Sequence, residues 1–411
     1  MRRRRCPAPS GRGARARLVT SVASLLVLGL GVGLAAPEEP GPQLYLEVPG
    51  RVAVGQPFDV FVSSSLPAAF TLVYGEERVE AVDQDLRASF DGRPGRVVLD
   101  VEAVDAEGRR QETRSVVMGL LPPKPVLSAP ERVTVGDPLT VRLAWTRAAD
   151  EGVEASGVPL ALIADAWLEI DGRILDAYAL DDGLLALASV PLADQPGTRH
   201  LRGVVVDEFG TWHRVDATLE VRPNPHPIQL LTIPASILAV STDDGRRIEA
   251  EALAQAFAAV PPDPRWRSPF MLPILGRGTS GFGLPRRYGP GGNVSYHLGA
   301  DIAAPEGTPI HATNEGVVRV AGQYPIKGGL VVLDHGFGVT SLYFHQSSLA
   351  VAVGDVVERG QTIGYVGSTG LSTGPHLHWE MRVDGEPTAP LAWVDRRWPG
   401  GPLDTTAEVG E

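Results

Sequence analysis

Beyond the first forty residues, apolar and polar positions alternate in short runs broken by glycine and proline. Val52, Val54, Phe58, Val60 and Val62 fall on one face, and Val133, Val135, Leu139, Val141 and Leu143 fall on an equivalent face. Period two with Gly-Pro turns is the pattern of antiparallel strands packed face to face. The two runs also align as a repeat. Residues 49–60 (PGRVAVGQPFDV) match 130–141 (PERVTVGDPLTV), and further on Val104-Asp105 with Gly108 matches Val206-Asp207 with Gly210. The offset grows from 81 to 102 residues, so the second copy holds an insertion of about twenty, expected to include the stretch from Asp150 to Leu162. Two sandwich modules similar to immunoglobulin-like domains are predicted, over residues 41–122 and 123–222.

A proline-rich segment, residues 223–227 (PNPHP), opens a linker predicted to run over 223–265. Within it a helix is expected from Arg246 to Val260, with Ile248, Leu253 and Phe257 near one face and Pro261-Pro262 ending it. Short strands and glycine turns return over 266–398, and 399–411 reads as a polar tail. The fold class is therefore all-β: two sandwich modules, then a mainly antiparallel sheet domain.

Composition agrees. Gly and Pro number 47 and 36 of 411 residues, which disfavours a helical bundle, and 43% hydrophobic residues exclude wholesale disorder. The amino terminus changes the picture more. Arg2 to Arg5, Arg12, Arg15 and Arg17 form a positive stretch, Leu18 to Ala36 is uncharged, and Gly33-Leu34-Ala35 offers small residues at a cleavage site. Residues 1–35 read as a secretory signal, with an uncleaved anchor as the rival; a membrane is a partner only in that second case. Both place the remainder outside the cytoplasm, secreted or in the periplasm or cell envelope. Without this segment 30 basic side chains face 49 acidic ones, a net of −19. No counterion-release term then favours phosphate backbones, so nucleic acid is excluded as a partner. The only cysteine, Cys6, lies in the positive stretch. The exported chain can form no disulfide, and any metal site must use His and carboxylate ligands.

Six of nine histidines fall between 297 and 378. His376 and His378 are two apart, so on a strand both enter one cleft. His297 and Asp301 are four apart around Gly299, and His345 ends an apolar run after Tyr343-Phe344. His-x-His alone is weak, because it arises by accident about 0.2 times in a chain of this composition. Four histidines and an aspartate arranged this way are harder to dismiss as satisfied rings. Two imidazoles and one carboxylate suit zinc with a position left open, the set being His297, Asp301 and one histidine of the pair. The remaining histidines can move protons near neutral pH. His200 and His213 in the sandwiches, and His311 and His335 later, are read as structural.

At these residues the sequence resembles the M23 family, the lysostaphin-like and LytM-like zinc endopeptidases of bacterial cell walls. Residues 279–283 (TSGFG) with Arg286-Arg287 resemble its entry segment, and 297–302 (HLGADI) its first zinc motif. Asp334-His335-Gly336, Tyr343-Phe344-His345, 354–357 (GDVV) and 360–364 (GQTIG) resemble its central strands and turns, and 367–380 (GSTGLSTGPHLHWE) its last motif. The resemblance covers about a third of the chain. It implies that His297, Asp301 and His378 bind one zinc ion and that His345 and His376 are the catalytic pair. It also implies a narrow cleft walled by 288–296 and 323–328, and peptidoglycan stems or cross-bridges as substrate. Gly329, Gln346 and Ala389 depart from the usual family pattern without touching a proposed ligand. The alternative is a non-catalytic envelope protein that binds wall or activates a separate amidase.

Overall fold

The structure, a computed structural model, describes residues 41–146, 158–231, 241–258, 263–288 and 293–394. The expected signal segment, part of the insertion and the expected tail lie outside these residues. The described chain is almost entirely β, with one α-helix, Asp243–Ala258, and a short 3-10 turn at Pro390–Trp393. No described helix is long and apolar enough to cross a membrane.

The sequence repeat is a structural repeat. In each copy a three-residue strand (Arg51–Ala53, Arg132–Thr134) pairs in parallel with the last long strand, Arg110–Leu120 or Trp212–Arg222. The matched Asp and Gly make the same turn twice. Asp105 accepts the amides of Glu107 and Arg109, and Asp207 those of Phe209 and Thr211. Gly108 and Gly210 follow at φ 78° and 80°, a left-handed conformation that glycine adopts without strain.

The copies differ where the offset grows. In the first, strand Pro57–Tyr74 runs unbroken for 18 residues. Its first part pairs with Leu44–Glu47, and its second part pairs with Gly95–Asp105. One six-stranded sheet therefore curls over its own core of Val60, Val62, Phe70, Leu72 and Leu99. In the second copy two strands, Pro138–Thr146 and Ile163–Ile170, take those roles, in separate four- and five-stranded sheets. The insertion falls between them, which is what frees the sheets to separate.

The third part is an eight-stranded sheet with every pairing antiparallel. Its central strands are Ala300–Ala303, His376–Val383, Val339–Gln346, Gly328–Asp334 and Gly316–Tyr324. Central strands buried on both faces read as continuous apolar runs, and residues 328–334 and 339–346 are buried throughout. One face packs on Trp379, Met381, Trp393 and Phe270. Tyr178, Leu185 and Leu187 of the second sandwich belong to that same cluster, and Tyr178 stacks on Phe337 with ring centroids 3.7 Å apart. The second sandwich and the sheet domain thus share a core. The opposite face is covered by the helix, whose Leu253 and Ala256 meet Val320, Leu330, Val332, Leu342 and Phe344.

The helix lies close to its expected span, and Leu253 and Phe257 pack inward as expected, but Ile248 does not. Gly245, Glu249, Leu253 and Ala256 are buried, whereas Ile248 is exposed. The segment before it is anchored. The Asn224 side chain donates to the Gly283 carbonyl, and Gln229–Leu231 adds a parallel strand beside Pro285–Tyr288.

His335, in the hairpin turn after Gly328–Asp334, is fully buried between the Glu315 carbonyl and the Ser341 hydroxyl, both at 2.7 Å. Burial pushes its pKa down to about 4, against about 6.5 in an unfolded chain. Between those values the unfolded state binds the extra proton, so stability is lost as pH falls from 6.5 towards 4. This one residue contributes a slope of about 1.4 kcal/mol per pH unit. Urea unfolding at pH 7 and pH 5 should therefore show a smaller acid loss for His335→Gln than for wild type. Equal losses would contradict this role.

Candidate metal centre

Three sheet features bring the candidate residues together. Asp301 lies directly across from His378 in the pairing of Ala300–Ala303 with His376–Val383, and Phe344 lies across from His378 on its other side. His297 enters from the loop before Ala300, held by amide exchange with Leu284 and Gly283. Gly299 is needed there: a Cβ would come within 2.5 Å of the Trp379 carbonyl and 2.7 Å of His378 Nε2.

The ligand atoms converge. His297 Nε2, His378 Nδ1 and Asp301 Oδ1 are 3.0, 3.1 and 2.7 Å apart pairwise. Their outer contacts fix which atoms carry lone pairs. His297 Nδ1 sits 2.7 Å from the Gly281 carbonyl and must donate to it, leaving Nε2 as an acceptor. His378 Nε2 donates to Glu380 Oε1 at 3.1 Å, leaving Nδ1 as an acceptor. Two imidazole lone pairs and a carboxylate oxygen therefore face one another in a mostly buried pocket. Only a cation relieves that arrangement, either a proton or a metal ion, and the donor set suits a divalent ion with an open position.

The electrostatics agree. Burial alone would depress the His378 pKa, but hydrogen bonds to Asp301 and Glu380 outweigh it and raise the value to about 9, so a proton competes with a metal ion for the Nδ1 lone pair. Burial likewise opposes ionisation of Asp301, yet the adjoining His297 and His378 rings hold its carboxyl well below the usual range. Glu380 is itself buried and clamped by Arg382, which donates from Nε at 2.7 Å and Nη2 at 2.6 Å. Arg286 lies 3.6 Å from Asp301 Oδ2 and donates to Ser280.

His376 and His345 stand beside this triad, their rings 4.8 Å apart. His376 Nδ1 donates to the Gly374 carbonyl and His345 Nδ1 to the Thr369 carbonyl, both at 2.8 Å. Each ring thus keeps its Nε2 lone pair free of those bonds, and His376 Nε2 lies 3.9 Å from Asp301 Oδ1. Burial, with His378 and His376 close by, pushes the His345 pKa down to about 3 and keeps that ring neutral. His345 also has φ 63°, left-handed for a non-glycine residue, so its backbone is held in place by its surroundings.

All five candidate residues occur in one cluster. His335 and His311 stand apart from it, on the Asp334-His335-Gly336 turn and on strand Pro309–His311. Sequence reasoning assigned no role to Glu380, although its i+2 spacing from His378 places both on one strand face. Of the two expected cleft walls, 289–292 lies outside the described residues, while the turn at 325–328 packs against His345 through its backbone.

A β-sheet domain presenting a His-Asp-His cation site flanked by two further histidines has the construction of a metallopeptidase. Comparison places it in a family: the Peptidase family M23 model matches residues 295–390, and this stretch is an M23 domain. The chain is 47% identical over 96 residues to the DD-carboxypeptidase/endopeptidase Mpg of Neisseria meningitidis serogroup B, covering 23% of this chain and 22% of that protein. It is 38% identical over 154 residues to the peptidoglycan DD-endopeptidase ShyA of Vibrio cholerae, covering 37% and 33%. The matches thus span between a fifth and a third of these relatives' lengths. Among solved structures, the catalytic domain of lysostaphin from Staphylococcus simulans is similar, with 34% identity, a TM-score of 0.26, and coverage of 28% of this chain and 90% of that one.

Proposed function

We propose that the protein is an exported zinc endopeptidase that hydrolyses peptide stems or cross-bridges of bacterial peptidoglycan. The observation that carries this is the convergence of three lone-pair donors between two histidines with free Nε2 atoms. Substrate class and export rest on the family domain, on relatives named for peptidoglycan, and on the arginine-led apolar segment at the amino terminus.

In this reading His297 Nε2, Asp301 Oδ1 and His378 Nδ1 hold the zinc, with Gly281, Arg286 and Glu380 orienting them. When bound, zinc supplies an acidified water and a Lewis acid for the scissile carbonyl. His345 and His376 turn their free Nε2 atoms towards the same space. One takes the proton of the attacking water and, so protonated, steadies the oxyanion before passing that same proton to the departing amine. The sandwiches act as spacers, the second packed on the sheet domain through Tyr178.

Mass spectrometry of purified peptidoglycan incubated with residues 36–411 tests this. Fragments with new amino termini within stems or cross-bridges are expected. Intact wall with zinc bound would favour the alternative, a wall-binding protein that activates another enzyme. The role of Glu380 is separately testable. Glu380→Gln keeps the shape but removes the charge behind His378, so zinc affinity should fall about 10- to 100-fold in competition with a chromophoric chelator. Unchanged affinity would remove Glu380 from the site.

A further inference from the structure

The helix Asp243–Ala258 lies upstream of the matched family domain, and it carries a carboxylate in its inward face. Glu249 is 2% exposed, one turn from buried Leu253 in the cluster that covers the sheet. An ionised group is not left there without strong partners. Its partners are specific. Oε1 accepts the amides of Ile326 at 2.6 Å and Lys327 at 2.8 Å, and Oε2 accepts Lys327 Nζ at 2.8 Å. One side chain from the helix thus fixes two successive peptide units of the turn at 325–328.

That turn is what holds His345. The Lys327 carbonyl accepts the His345 amide at 2.8 Å, and the Ile326 carbonyl accepts the Leu371 amide at 2.7 Å. The next residue along, Gly329, donates its amide to Thr369 Oγ1 at 2.9 Å, and the Thr369 carbonyl takes the His345 ring proton at 2.8 Å. Main chain and ring of His345 are therefore both tied to segments bound to the turn. The left-handed backbone of His345 needs such external fixing, because a non-glycine residue does not settle there unaided. Lys327 Nζ, held by Glu249, also lies 5.3 Å from the Phe344 ring that stacks on His378.

We propose that Glu249 is a positioning residue for the hydrolytic reaction, acting through the 325–328 turn to set the backbone and ring of His345. This rests on the function proposed above, in which His345 and His376 are the catalytic pair beside the metal. Its distinguishing mark is an effect on turnover without loss of metal or of substrate binding, since no Glu249 contact reaches the triad.

The test uses residues 36–411, zinc-loaded, with a synthetic cross-linked stem-peptide dimer. Glu249→Ala should keep one zinc per chain and a KM within about twofold, while kcat falls about 100-fold, the order expected for a misplaced catalytic group. Glu249→Gln should also be slow, because its amide N–H faces the Lys327 ammonium. The double variant Glu249→Gln with Lys327→Met removes that conflict and keeps an acceptor for both amides, so it should recover most of kcat. Wild-type kcat in Glu249→Ala, a loss carried by KM or zinc content, or no recovery in the double variant would overturn the proposal. If the wild type itself cuts nothing, the hydrolytic reading fails separately, and hydrogen exchange at the His345 amide decides the tether. At least tenfold faster exchange in Glu249→Gln is expected, and an unchanged rate would overturn it.

Discussion

His378→Ala should take the protein from one zinc per chain to background and abolish hydrolysis. The variant leaves only His297 Nε2 and Asp301 Oδ1 facing each other, and two protein ligands do not hold a catalytic zinc at ordinary free-metal levels. The fold should survive. Glu380 loses its bond to His378 Nε2 but keeps both contacts to Arg382, so its charge is not stranded. The expected result is a folded, metal-free, inactive protein by metal analysis and amine-release assay. Zinc retained at full stoichiometry would mean that His378 is not a ligand.

His345→Ala should do the converse, keeping the zinc while turnover drops by about 10²- to 10⁴-fold, the usual size of a lost proton-transfer group. Its Nδ1 is committed to the Thr369 carbonyl, and its ring centroid lies 6.2 Å from that of His378, so the triad does not depend on it. Alanine at φ 63° adds backbone strain, whereas asparagine tolerates that region. His345→Asn therefore serves as the control and should be equally inactive with less loss of stability. Near-normal turnover in either variant would remove His345 from the mechanism.

Much of this architecture was legible because alternation and repetition are local signals. The positions of Phe58, Val60 and Val62, and of Leu139, Val141 and Leu143, are buried as the period-two pattern requires. The curled single sheet of the first module was not legible, because nothing in residues 57–74 distinguishes a strand that serves both halves from two strands. The helix was placed well, with Leu253 and Phe257 inward as expected, but Ile248 was misplaced. Periodicity counts apolar residues as inward, and here Glu249 lies inside while Ile248 lies outside. What Glu249 binds is backbone more than seventy residues away, which no local pattern reveals. The docking of Tyr178 on Phe337 is likewise a long-range contact between separately patterned modules.

At the site, spacing grouped His297 with Asp301 and His376 with His378, while the choice of ligands and the place of His345 came from the family resemblance. Asp301 lies on the strand facing His376 and His378, and His297 enters from the loop just before that strand, so their convergence follows from the pairing. The acceptors that set the tautomers of His297, His345 and His376 were invisible in the sequence, since the Gly281, Thr369 and Gly374 carbonyls have no side-chain signature. Those bonds, with Glu380 behind His378, leave two imidazole lone pairs aimed at one point beside an Asp301 oxygen and two more next to it.

The most direct test measures metal and hydrolysis in one sample. Residues 36–411 are stripped with chelator, assayed on purified peptidoglycan for new amino groups, then titrated with zinc while bound metal is counted. If the triad holds the catalytic ion, stripped protein releases nothing, and activity returns in proportion to zinc up to one per chain. Amine release that persists in metal-free protein, or a fully zinc-loaded protein that cuts no wall peptide, would contradict the assignment.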